Sequence, residues 1–372
     1  MGIISGPPSC GTAPRFSQRI PSLDGLRALS IILVLAGHLR GTRGAPVFLN
    51  SKIDVGYLGV RMFFVISGFI ITHLLLKKEC NGGISIGQFW IRRSLRIFPS
   101  AYTYMLTILL ASLIGLVAIN GKDLVLAATY TINWRRDPAW LLGHLWSLSV
   151  EEQFYLLWPL VMRSLGSRQR LNAALGVMIF SPVLRCAILL FLPVETWRIN
   201  YSFPTVADAL ATGCALALLQ DPLRKHLRYA RLQRSAALPL LIAGSFLLSM
   251  LSTKLNMLIG MTLLNISIAL TVDWCIQNHR SVIGRILNNV VLVRIGLMSY
   301  SIYLWQQPFL NRQATAWFNA FPQNIACALT VAAISYFLVE KPFMASGKYS
   351  AAIGVWALLS GNRDHATERP VT

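Results

Sequence analysis

Ten predominantly apolar stretches, each long enough to cross a bilayer, divide this chain, and no loop between them is large enough to hold a domain. A crossing takes about 20 such residues, because lipid offers the backbone no hydrogen-bond partner and a helix satisfies its own. The stretches lie near residues 23–39, 57–76, 97–119, 141–162, 171–192, 203–220, 236–253, 256–275, 290–309 and 322–340. The longest loop, around 120–140, is too small to fold alone. The pattern predicts an all-α integral membrane protein of ten transmembrane helices. Residues 1–20 are expected to form a polar tail, 21–345 the membrane domain and 346–372 a second tail. No removable signal peptide is expected in the first tail. In the second, the apolar run Tyr349–Ser360 is too short to span and suits the membrane surface or a disordered segment.

Composition removes the soluble alternative. Apolar residues make up 55% of the 372 positions and charged residues only 13%, against about a quarter in soluble domains. The net charge is +20, but the basic residues form short clusters between apolar stretches. That is the pattern of membrane orientation, not of a nucleic-acid-binding face. With a cytoplasmic N-terminus, cytoplasmic segments hold 22 Lys and Arg residues and the opposite segments 9. Both termini are therefore expected in the cytoplasm. Six cysteines are scattered without a CxxC pair, so neither a disulfide framework nor a metal site is expected.

Three constellations put polar groups where lipid penalises them. The first lies in Ser22–His38. Arg27 and His38 are eleven residues apart, which puts both on one helix face with an axial separation of roughly 16 Å. Asp24, three residues before Arg27, is placed to pair with it. The alternative is a snorkelling arginine and an interfacial histidine. The second lies in Phe89–Pro99, at the expected cytoplasmic entrance of the third span. Arg93 and Arg96, at i and i+3, make a two-pronged clamp suited to phosphate oxygens. An anchor or an anionic-lipid contact also accounts for them. The third lies in Gly143–Pro159, with His144, Ser147, Glu151, Glu152 and Tyr155 in one span. On a continuous helix His144, Glu151 and Tyr155 share a face within roughly 40°, and Glu152 points about 100° away from Glu151. Catalysis and a structural polar network both suit this set. The small pair Ser67 and Gly68 reads as helix packing.

Taken together, these stretches resemble the acyltransferase family 3 membrane proteins, O-acetylases of bacterial surface glycans and related acceptors. The resemblance runs from about residue 20 to about residue 343 and rests on SLDGLRALSIILVLAGH, LGVRMFFVISGFI, FWIRRSLRIFP, GHLWSLSVEEQFYLLWP and GLMSYSIYLWQQP with VEKPF. It implies a multi-pass protein of a bacterial inner membrane. It implies acyl-CoA, usually acetyl-CoA, as donor co-substrate and a hydroxyl of a carbohydrate or lipid-linked glycan as acceptor. The family's Arg-x10-His pattern falls on Arg27 and His38, and its Arg-x-x-Arg pattern on Arg93 and Arg96. On that basis Arg27, Arg93 and Arg96 are expected to hold the donor, and His38, Glu151 and Glu152 to carry the chemistry. Asp24, His144, Ser147 and Tyr155 are expected to support them. Where relatives commonly have a histidine after Tyr-Leu-Trp, this chain has Gln306, so no base is expected there. Nothing resembling the extracytoplasmic hydrolase-like domain of some relatives follows the last span, so transfer is expected to be completed by the membrane domain or a separate partner. Three rival readings remain at this stage: acylation of a diffusible molecule such as a macrolide, a multi-span transporter of glycan precursors or a proton-coupled solute, and a membrane scaffold with no chemistry.

Overall fold

The computed structural model describes residues 21–50, 54–235 and 237–346. The two expected tails, including Tyr349–Ser360, lie outside the described residues, apart from Ser346. Among the described residues there are helices and no strands. In chain order the first helices are α1 (Pro21–Leu39), α2 (Val55–Cys80), α3 (Ile86–Leu113), α4 (Gly121–Ala128), α5 (Trp140–Gly143) and α6 (Leu145–Ser164). Next come α7 (Ser167–Phe191), α8 (Arg198–Tyr201), α9 (Phe203–Lys225), α10 (Leu227–Leu232), α11 (Ala237–Leu251) and α12 (Thr253–Leu255). The last are α13 (Met261–Gln277), α14 (Val282–Leu287), α15 (Val290–Trp305), α16 (Gln323–Ser335) and α17 (Lys341–Ser346). Single π-helical turns lead into α13 and join α16 to α17.

Each expected span overlaps a helix, but not every one of these helices is long and apolar enough to span. Six helical segments are long and apolar enough to cross a membrane: Ser22–Leu39, Val55–Cys80, Ser167–Phe191, Arg198–Lys225, Asn256–Gln277 and Gln323–Ala345. Ala237–Leu248 and Val290–Trp305 are apolar but shorter. The lipid-facing character is visible on the outside of the molecule. Ile179, Phe180, Val183 and Leu190 of α7 are exposed, and so are Leu156, Leu157 and Leu160 of α6. In contrast, Arg61, Arg185 and Asp208 are buried almost completely. A soluble protein of this size does not expose apolar surface on that scale.

Two expected helix boundaries are corrected. The third span was expected to start near residue 97, with Arg93 and Arg96 at its entrance. Instead the Ser85 side chain caps α3, and the helix runs from Ile86 through Pro99, so both arginines lie two to three turns inside it. The fourth span was expected to be one helix over 141–162. It is jointed at His144, between α5 and α6. The cause is a hydroxyl from another helix. The His144 carbonyl accepts a hydrogen bond from Tyr303 Oη, and within the chain it accepts only a long 3.4 Å contact from the Ser147 amide.

Glycines let the central helices touch backbone to backbone. A Cβ added to Gly68 of α2 would sit 2.0 Å from the Leu210 carbonyl oxygen of α9, and one added to Gly213 of α9 would sit 2.0 Å from the Val65 carbonyl oxygen. The packing expected of Gly68 is therefore present. The same close approach brings α15 onto the first turn of α1, where Gly296 faces the Asp24 carbonyl. Between α2, α7 and α9, Asp208 bridges two arginines, Arg61 at 3.0 Å and Arg185 at 2.9 Å. Arg185 is further satisfied by the Met257 and Thr205 carbonyls and by Thr262.

Candidate functional site

Two cavities open at opposite ends of α1 and α2. The first, about 520 Å³, has Arg27, Arg93 and Arg96 in its wall, with Lys77, Lys78 and Arg92 also lining it. Most of the rest is apolar, from α2 and α3. The second, about 620 Å³, is lined by His38, Trp140, Trp146, Trp197, Tyr57 and Tyr201, with Asp54 and several arginines. Both volumes fall in the range of small-molecule sites. The cavities share two wall residues, Val60 and Tyr303.

The placement of Arg27 and His38 follows from one helix face and their separation of roughly 16 Å along it. Arg27 and His38, on one helix, line different cavities: Arg27 the basic one and His38 the aromatic one. Arg93 joins Arg27 and Arg96, and its Cζ lies over the Tyr155 ring, 3.8 Å from the centroid. This is a cation–π contact of the kind arginine makes best. Its Nε has no hydrogen-bond partner among the described residues. Glu151 lines the same cavity and accepts a hydrogen bond from Ser67 Oγ at 2.8 Å. Ser147 lines it as well and is hydrogen-bonded to Tyr303 Oη at 2.7 Å. Asp24 is buried in the first turn of α1, one turn before Arg27.

Other residues are separated from this group. Glu152 is buried, lines neither cavity, and its Oε1 has no hydrogen-bond partner among the described residues. His144, at the joint between α5 and α6, lines the aromatic cavity instead of the basic one. Its ring stands against Tyr104 and Tyr303, each 5.4 Å between centroids.

Several residues at these cavities carried no assigned role in the sequence reading. Ser67 was taken for packing but holds Glu151. Tyr303 sits in the common wall. Gln306, where no base was expected, is the direct partner of His38, with Gln306 Oε1 2.8 Å from His38 Nδ1. Gln307 follows it and hydrogen-bonds to the Trp140 backbone. The available signal was the polar pair Gln306–Gln307 closing an apolar stretch, but nothing in the sequence names its partners.

Comparison with known proteins gives the same picture. The acyltransferase-domain family matches residues 20–340. The peptidoglycan O-acetyltransferase OatA of Listeria monocytogenes is 29% identical over 90% of this chain and 57% of its own length. The provisionally named peptidoglycan O-acetyltransferase YrhL of Bacillus subtilis is 28% identical over 88% of this chain and 55% of its own length. The chain thus spans somewhat over half the length of these curated relatives. No solved structure matches it. With the family match covering most of the chain and the five motif stretches in order, this protein belongs to acyltransferase family 3.

Proposed function

We propose that this protein is an O-acetyltransferase of a bacterial inner membrane. It moves an acetyl group from cytoplasmic acetyl-CoA to a hydroxyl of a cell-surface glycan. One observation carries the reading: a basic cavity and an aromatic cavity share the wall residues Val60 and Tyr303, with the two ends of the Arg27–His38 pair in one and the other. The Lys and Arg distribution sets the orientation, with ten spans, both termini in the cytoplasm and the basic cavity open to it. Names of relatives that act on peptidoglycan favour an envelope polysaccharide as acceptor.

In this reading Arg27, Arg93 and Arg96 hold the CoA phosphates, for which guanidinium forks are suited. Lys77, Lys78 and Arg92 draw the anion in. The pantetheine arm follows α1, whose Arg27-to-His38 rise is roughly 16 Å. Aromatic faces in the second cavity suit sugar rings. The acceptor hydroxyl oxygen bonds to the thioester carbon, its proton passes to His38, the C–S bond breaks, and CoA leaves and takes the proton as a thiol. If His38 accepts the acetyl group first and then passes it on, the same nitrogen lone pair acts. Glu151, held by Ser67 among the three arginines, positions them.

The test is transfer of radiolabelled acetyl from acetyl-CoA to envelope glycan in membranes. Wild type is expected to label the glycan, and His38→Ala and Arg93→Ala to fail with normal amounts of folded protein. Full activity in His38→Ala would sink the proposal. Uptake of a glycan precursor into vesicles without acetylation would favour the transporter.

A further inference from the structure

His38 belongs to a chain of hydrogen bonds whose direction is fixed at its far end. Gln306 Oε1 lies 2.8 Å from His38 Nδ1. Gln306 Nε2 donates to Gln307 Oε1 at 2.9 Å, and Gln307 Nε2 donates to the Trp140 carbonyl at 2.9 Å. An amide can be turned over, so neither glutamine alone sets the direction. The Trp140 carbonyl does, because it has lone pairs and no proton. Gln307 must present its NH2 to that carbonyl and its oxygen to Gln306. Gln306 must then present its NH2 to Gln307 and its oxygen to His38. The Tyr303 carbonyl, 3.5 Å from Gln306 Nε2, requires a donor on the same side. Both glutamine side chains are buried.

We propose that Gln306 and Gln307 are positioning residues that hold His38 as its Nδ1–H tautomer and so keep the Nε2 lone pair free to act. This rests on the reading of His38 as the base or acyl carrier. Trp140 fixes a second coordinate. Its indole N–H donates to the Gln307 carbonyl at 3.0 Å, and the indole stands edge-on to the imidazole at 6.0 Å and 63°. One residue therefore sets both the direction of the relay and the tilt of the ring. Amides do not titrate, so the direction holds at every pH. When His38 takes a proton, that proton lands on Nε2 and the Nδ1–H bond to Gln306 is kept. Asp54 and Arg312, of opposite sign, and His144 are the other titratable groups that act on this ring.

The test is nitrogen NMR of protein labelled with [15N]histidine. The chain has six histidines, and the resonances lost in His38→Ala identify this one. Wild type is expected to show a protonated Nδ1 and an unprotonated Nε2. Gln307→Leu does not touch the ring but removes the 2.9 Å acceptor that holds Gln306, leaving only the long 3.5 Å contact with the Tyr303 carbonyl against its turning over. It is expected to mix the tautomers and to lower kcat for transfer about tenfold or more, with KM for acetyl-CoA unchanged. Adding Gln306→Glu to Gln307→Leu is expected to restore the wild-type tautomer, because a carboxylate can only accept. A protonated Nε2 in wild type, or an unchanged tautomer in Gln307→Leu, would overturn the proposal. The spectrum needs no turnover. An Nδ1–H tautomer that depends on Gln307 supports the relay even if no acetyl is transferred, and in that case only the transferase reading falls.

Discussion

Tyr303 Oη donates a hydrogen bond to the His144 carbonyl oxygen at 2.5 Å, inside the wall that the two cavities share. The phenol has one proton, and the carbonyl takes it. The 2.7 Å contact with Ser147 Oγ must then run the other way, from serine to tyrosine. Tyr303 is pinned at the joint between α5 and α6 and again in the first turn of α6. The bond that shapes the joint also closes the wall.

If the wall separates a thioester from an outer aqueous space, thinning it should waste acetyl-CoA. Tyr303→Ala is expected to raise the ratio of free acetate to acetylated acceptor severalfold in reconstituted vesicles. Tyr303→Phe keeps the bulk and loses the hydrogen bonds. It should keep coupling tight while costing about 1–3 kcal/mol of stability, the range for stranding a buried partner. An unchanged acetate ratio in Tyr303→Ala would mean that the wall lies elsewhere.

Arg93 packs on the Tyr155 ring and lines the basic cavity. Lysine keeps the charge and loses both the plane and the fork. Arg93→Lys is expected to raise KM for acetyl-CoA about tenfold, a loss of roughly 1.4 kcal/mol in binding, with kcat little changed. Steady-state kinetics at fixed ionic strength would check this. A fall in kcat at constant KM would instead place Arg93 in the chemical step.

Asp208 neutralises two buried arginines at once. Asp208→Ala leaves both cations uncompensated and is expected to cost about 3–5 kcal/mol or more, read as a large drop in melting temperature in detergent. Arg61→Leu leaves the balanced pair Asp208–Arg185 and should cost far less. Equal damage from the two variants would argue against charge balance as the role of the cluster.

Much of the frame is legible in the sequence because lipid imposes it. A stretch must be apolar to face acyl chains, so the helices of the bundle announce themselves. The placement of Arg27 and His38 is also legible, since helix phase fixes it within a single segment. Contacts between distant segments are not. Gln306 is 268 positions from His38, and Tyr303 is 159 from His144. A glutamine at the end of an apolar stretch reads as an ordinary polar cap until its partner is known. The joint at His144 was missed for the same reason. Phase arguments assume an unbroken helix, and a distant hydroxyl breaks this one. Ser67 was misjudged because its small size explained it fully as packing.

The contacts of Gly68 with Leu210 and of Gly213 with Val65 have a mechanical consequence. Where main chains touch with no side chains between them, two helices cannot slide past one another without collision. The α2–α9 pair therefore behaves as a fixed frame beside the two chambers. Val60 of the common wall is carried on that frame, because it lies on α2.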